Sequence, residues 1–180
     1  LRYKAETGRD GPATVSQKSH TWRDLKEMKA RYGDDFIVTA IADEAFRGCT
    51  ELKNVVFPKT LQTIGDEIFK GCDYLESIRM EGPGVKYDSR GNCNALIETA
   101  TNTLVLGCQN SKVPASVTAI GSCAFYGCRA LIEFVIPDHV TTIGDCAFCM
   151  CSNLKKVTIG SGVTTIDPLA FYECTLLSDV

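Results

Sequence analysis

The residues with the greatest chemical reach in this chain are its ten cysteines. Cys146, Cys149 and Cys151 stand almost together, and Cys123 lies 23 residues before Cys146. A thiolate cluster of this density is the raw material of a zinc or iron site, and a closed structural zinc site needs four converging ligands. Here the spacing argues against convergence: Cys151 occupies a position that points inward, whereas Cys146 follows Gly144-Asp145 and faces an outer turn. The expectation is no metal and no cofactor. Cys123 and Cys146 are equivalent residues of neighbouring units, so a cross-link between them after oxidation is the alternative to weigh. A thiol enzyme would need a base beside a low-pKa cysteine, and the only histidines are His20 in a polar lead-in and His139 in a turn. With no phosphate-cradling glycine loop and no paired carboxylates, the chain reads as a non-enzyme with no catalytic residues.

The elements that position these thiols repeat. Ile41, Ile64, Ile120, Ile143 and Ile166 open five copies spaced by 23 residues, apart from a step of 56 between Ile64 and Ile120 that places an insertion in the second copy. A fixed period in this range marks a solenoid, in which each unit buries its apolar side only by stacking on its neighbours. Counting from the repeat phenylalanines Phe46, Phe69, Phe125, Phe148 and Phe171, Cys49, Cys72, Cys128, Cys151 and Cys174 follow three later and Leu52, Leu75, Leu131, Leu154 and Leu177 six later. Nine and eleven later come the pairs Val55 and Phe57, Ile78 and Met80, Phe134 and Ile136, Val157 and Ile159. A gap of two is a strand period, so both members of a pair face the core. The five repeat cysteines read as buried free thiols, because parallel Cβ vectors in stacked coils do not aim at one another. The phenylalanines should stack as a buried aromatic row.

With 180 residues, 44% of them hydrophobic, the chain can fill the narrow continuous core of one solenoid. A formal net charge of −3 leaves no basic stripe for phosphates, so nucleic acid is not an expected partner. No apolar run is long enough to span a bilayer, and Leu1 to Glu6 form no signal-peptide core. The start at Leu1, without an initiator Met, reads as a processed or excised fragment, and the stop at Val180 inside a strand leaves two expectations: a last coil that ends uncapped, or an array cut from a longer one.

Along the chain, residues 1–35 form a lead-in: 1–20 are polar with little expected regular structure, and Trp22, Leu25, Met28 and Tyr32 then space as one stripe of a short helix that would cap the first coil. The solenoid proper takes residues 36–180. The insertion, about 82–112, opens on Gly82-Pro83-Gly84 and contains a β-hairpin, Leu96 to Leu106, around Ala100-Thr101-Asn102. Cys93 and Cys108 flank it, a geometry compatible with a disulfide at its base.

The unit Ile-Gly-x-x-Ala-Phe-x-x-Cys-x-x-Leu-x-x-Val-x-Ile-Pro-x-x-Val-Thr-x, best seen from Ile120 to Thr142, resembles the BspA-like leucine-rich repeat family over residues 36–180. Ala42 and Asp167 stand in place of its glycine, and Ile68 and Glu81 in place of its alanine and proline. The resemblance implies a right-handed leucine-rich-repeat solenoid with stacked parallel strands, of α+β class once the capping helix is counted. It also implies a cell-surface or secreted protein involved in adhesion, binding a protein or glycan of a host or matrix. The family has no catalytic residues to carry over.

The period of two locates the expected binding surface. Residues eight and ten after each phenylalanine face outward: Asn54 and Val56, Ser77 and Arg79, Glu133 and Val135, Lys156 and Thr158. They should form two columns on the open sheet face, with the hairpin as competing site. The leading reading is thus a surface interaction module with no direct membrane insertion. The alternatives are a structural spacer and a thiol-based metal or redox protein.

Overall fold

A computed structural model describes residues 13–15 and 38–180. Its strands are β1 Ala13–Val15, β2 Val38–Ile41, β3 Asn54–Phe57, β4 Thr63–Ile64, β5 Ser77–Met80, β6 Tyr87–Asp88, β7 Ala95–Glu98, β8 Thr103–Gly107, β9 Ala119–Ile120, β10 Glu133–Ile136, β11 Thr142–Ile143, β12 Lys156–Ile159 and β13 Thr165–Ile166. A 3-10 turn at Arg90–Asn92 is the only helical element among the described residues, so that part of the chain is all-β rather than α+β. The capping helix expected around Trp22 to Tyr32 lies outside the described residues. The lead-in is not wholly irregular, because β1 pairs in parallel with β2.

The architecture is a β-solenoid of about six turns. Each coil runs through a four-residue strand, a turn, a two-residue strand ending at the repeat isoleucine, and a compact turn carrying Ala-Phe. The strands pair in parallel with equivalent residues opposite one another, as in Phe134 with Val157 and Ile143 with Ile166. In-register stacking lets each backbone group find its partner one coil away. The compact turns do the same: Phe125 N–H donates to Ala147 O and Phe148 N–H to Ala170 O, both at 2.7 Å. Two left-handed residues shape each compact turn, such as Cys123 (φ 54°) and Gly127 (φ 65°), or Cys146 (φ 52°) and Met150 (φ 60°).

The inward positions behave as their spacing requires. Val55, Ile78, Ile136, Phe148, Cys151 and Leu154 are fully enclosed. Phe148 lies between Phe125 and Phe171, with ring centroids 4.9 and 5.2 Å apart and planes within 6° of parallel. Phe46 stacks on Phe69 at 5.5 Å.

The insertion is where period alone misleads. Its hairpin is built as expected, β7 antiparallel to β8, but it does not project from the stack. β8 joins β9 in parallel, with Leu104 opposite Ile120, and β6 adds a further antiparallel strand on the other side. The result is a six-stranded mixed sheet in the order β13-β11-β9-β8-β7-β6. Leu104 therefore takes a place in the isoleucine row that the 23-residue spacing leaves empty. The hairpin also divides the interior. Ala95, Ile97 and Leu104 belong to the core that holds Phe125 and Phe148, whereas Leu96, Leu106 and Cys108 belong to the core that holds Phe46 and Phe69.

Candidate binding surface

Strand alternation places seven of the eight expected outward residues in solvent. Asn54, Val56, Arg79, Glu133, Val135, Lys156 and Thr158 are exposed, each beside an inward neighbour that is buried or half-buried. Ser77 is the exception: it is buried, because the insertion comes back against the start of β5, where the Asn110 amide donates to Glu76 O at 3.2 Å. Nor do the columns run unbroken along the molecule. Among the described residues β3 pairs with β5 alone and β10 with β12 alone, so the outward residues form two separate two-stranded patches with the insertion between them. A column read from a repeat count assumes that consecutive long strands are neighbours, and 33 extra residues between the second and third coils remove that neighbour.

The second patch is the more apolar. Val135 is 62% exposed and Ile132, just ahead of β10, is 44% exposed. Glu133 and Lys156 are paired in register beside them, and the Lys156 ammonium bonds Asp179 at 2.6 Å. On the first patch Val56 stands between Asn54 and Arg79.

The hairpin offers less surface than its sequence suggests. Leu96, Ile97, Leu104 and Leu106 are buried, which leaves Ala100 and Thr101 as its exposed tip. The tip is held from both sides: Thr101 Oγ1 donates to Glu98, and the Arg90 guanidinium donates to Asn102 Oδ1 at 2.9 Å while pairing with Asp88. Cys93 and Cys108 are free thiols in this structure, with separate acceptors and in different cores: Cys93 Sγ faces Ala95 O, and Cys108 Sγ faces Asn94 O.

The repeat cysteines are free as well, and three of them share one contact. The thiols of Cys72, Cys151 and Cys174 donate to the carbonyls of Phe46, Phe125 and Phe148, one coil back, at 2.9 to 3.1 Å. This bond, which residue type alone does not reveal, gives the thiol a task that alanine would leave undone. Burial is uneven along the row: Cys72 and Cys151 are buried, while Cys49, Cys128 and Cys174 are half-buried. Burial pushes the thiols of Cys72 and Cys128 up to about 12, and that of Cys151 well above its ordinary value. Cys123 is pushed to about 12 by burial and then by Asp66, Cys146, Glu67 and Asp145; Cys146 is pushed to about 11 by burial, Cys149 and Asp145. Such thiols are poor nucleophiles at neutral pH. Among the described residues no group of three or more His, Cys, Asp or Glu side chains could hold a metal ion. His139 is tied into the stack rather than left in solvent, its Nε2–H donating to Pro114 O of the preceding coil at 3.0 Å. Among the described residues no helix is long and apolar enough to cross a membrane.

The seam left by the insertion holds a cavity of about 20 Å³, lined by Phe69, Cys72, Cys108, Cys123, Phe125 and Cys128. That is room for about one water. At this seam the row of turn-to-turn bonds changes hands: Ala124 O is taken by Gly107 N–H at 2.8 Å. Gly107 is glycine for a steric reason, since a Cβ there would sit 2.2 Å from the Phe125 ring. A polar staple crosses the same seam, with the Lys70 ammonium bonded to Glu67 at 2.8 Å and to the Tyr126 hydroxyl at 3.2 Å.

Among solved structures, the pneumococcal vaccine antigen PcpA is similar at 21% identity and a TM-score of 0.62, over 78% of this chain and 35% of that one. A leucine-rich cell-surface protein from Faecalibacterium prausnitzii A2-165 is similar at 24% identity and a TM-score of 0.51, over 79% of this chain and 50% of that one. This chain thus spans a third to a half of these proteins, and at such identities the likeness is one of fold. No curated protein matches the chain. The profile of the BspA type leucine-rich repeat region matches residues 27–94 and 105–180 in six copies, one more than the isoleucine spacing counts. Leucine-rich repeat proteins are typically non-enzymatic interaction modules, and no enzymatic family is indicated. The chain belongs to the BspA type leucine-rich repeat family.

Proposed function

We propose that this chain is a non-enzymatic interaction module of a cell-surface protein, and that it binds a protein partner through the face of β10 and β12. One observation carries the reading: Ile132 and Val135 are exposed aliphatic side chains set beside the charged residues Glu133 and Lys156, which lie opposite each other on the paired strands. An apolar centre with a charged rim is the anatomy of a protein contact, in which the centre supplies desolvated area and the rim selects the partner. The eight expected outward residues include no aromatic ring on which a sugar face would stack, which favours a protein over a glycan. The family and the cell-surface description of the Faecalibacterium protein support the location.

The test is capture of the purified chain on immobilised extracellular-matrix proteins and on a glycan array. Val135→Glu combined with Glu133→Lys should abolish capture on the protein set with an unchanged melting curve, while Gly-Gly in place of Ala100-Thr101 should leave it intact. The reverse outcome moves the site to the hairpin, and capture on the glycan array alone replaces the partner class. A wild-type chain that binds neither set supports the spacer.

A further inference from the structure

The first compact-turn position two residues before each repeat phenylalanine and the position just after that phenylalanine are closed on one another by a backbone bond. Arg47 N–H donates to Glu44 O, Lys70 N–H to Glu67 O, Tyr126 N–H to Cys123 O, and Cys149 N–H to Cys146 O at 3.0 Å. In the first two coils the side chains at these two positions meet. In the first coil they are an ion pair, Glu44 with Arg47, and in the second another, Glu67 with Lys70 at 2.8 Å. In the fourth coil the same two positions are Cys146 and Cys149, a Cys-x-x-Cys pair. A four-residue turn brings its end Cα atoms within about 7 Å, which overlaps the span of about 4.4–6.8 Å that a disulfide bridges. The two thiols act on each other's ionisation, and the Tyr126 hydroxyl of the preceding coil acts on that of Cys149.

We infer that Cys146 and Cys149 form an oxidisable dithiol that closes to an intra-turn disulfide by exchange with a small-molecule disulfide. Cys146 is half-buried and Cys149 buried, so the outer thiol meets the oxidant first. The Cys146 thiolate attacks one sulfur of the small disulfide, forming a mixed disulfide and displacing one thiolate. The Cys149 thiolate then attacks Cys146 Sγ, forming the intra-turn bond and displacing the second. Two protein thiols are oxidised and one external disulfide is reduced to two thiols, so atoms and electrons balance. Burial and Asp145 hold the Cys146 thiol up near 11, which makes the exchange slow near neutrality and marks a latch rather than a turnover catalyst. The bridge would fasten the turn holding Phe148, the ring enclosed between Phe125 and Phe171. Cys123 of the preceding coil is the rival partner, but equivalent positions in parallel coils carry parallel Cβ vectors, which a disulfide does not accept.

This inference is independent of the surface proposed for binding. The full chain is incubated with oxidised glutathione, its remaining thiols are alkylated, and after unfolding and digestion the linkages are mapped by mass spectrometry. The expected result is a Cys146–Cys149 bridge with the loss of two hydrogens, formed equally in Cys123→Ser. In Cys149→Ser, glutathione should remain attached to Cys146. A bridge from Cys146 to Cys123 or Cys151 overturns the inference, as does a wild-type chain in which Cys146 and Cys149 are both alkylated after incubation. Linkage mapping on the wild type decides the matter even where a variant folds poorly.

Discussion

The coils on the two sides of the hairpin are written in the same repeat yet pack differently. On the C-terminal side three phenylalanines stack within 6° of parallel, around a ring with no exposed surface. On the N-terminal side Phe46 and Phe69 are inclined by 29°, and Phe69 also leans toward Phe57 at a centroid distance of 6.2 Å. The difference lies in the neighbours. Phe148 has an identical coil above and below, whereas Phe69 meets the hairpin wall and a small cavity on one side. In a solenoid each coil is stabilised mainly through nearest-neighbour interfaces, so one irregular neighbour weakens the order of a row locally without altering the unit.

Truncating the rings breaks this comparison most severely. Phe148→Ala should cost about 3–5 kcal/mol in denaturant unfolding, the range for removing a fully packed aromatic ring. Phe69→Ala should cost less than Phe148→Ala, since its ring stacks on Phe46 at one side and meets the hairpin wall and the small cavity at the other. Equal losses would show that the second flank adds nothing to the stack.

Alkali acts on the thiol row next. The folded values of Cys72 and Cys128 are raised to about 12, above an unfolded value near 9, so the unfolded chain ionises first as pH rises. The stability tied to these thiols is complete below about pH 9 and is lost between about 9 and 12. Each such thiol should lower stability by up to about 1.4 kcal/mol per pH unit in that window. Denaturant midpoints at pH 8 and pH 10 check this, and Cys72→Ala should flatten the slope. An unchanged midpoint at pH 10 would place the thiols in solvent. At pH 7 Cys72 and Cys151 should resist alkylation longer than Cys49 and Cys174, which are less buried.

Gly107→Ala sharpens the comparison at the seam itself. The new methyl would have to displace the Phe125 ring, at a cost of about 1–3 kcal/mol for an overpacked site. Amide exchange should rise at Phe125 and Ala124 more than at Phe46; a uniform rise would mean that the two stacks do not respond separately.

The smallest effect is expected from Lys70→Ala. It removes the staple between Glu67 and Tyr126, a partly exposed contact worth about 0.5–1 kcal/mol. A melt indistinguishable from wild type would assign the joining of the two stacks to the buried hairpin alone.

Residue spacing determined by itself whatever follows from one coil meeting an identical coil. The phenylalanine row, the inward pairs such as Phe134 and Ile136, the inward cysteines and the outward Val135 all follow from a period of 23 combined with a strand period of two. The hairpin strands were legible too, because their apolar runs flank a short polar turn. What only the tertiary structure decided is where that hairpin goes. Pairing of β8 with β9 satisfies backbone groups that a projecting loop would leave to water, and it buries Leu104 in a row to which no 23-residue step assigns it. The same choice covers Ser77, splits the sheet face into two patches and divides the core, none of which is written in any single repeat. Repetition encodes local contacts that every coil shares, whereas an insertion appears once, and its place is set by the long-range pairing that leaves the fewest buried polar groups unmet.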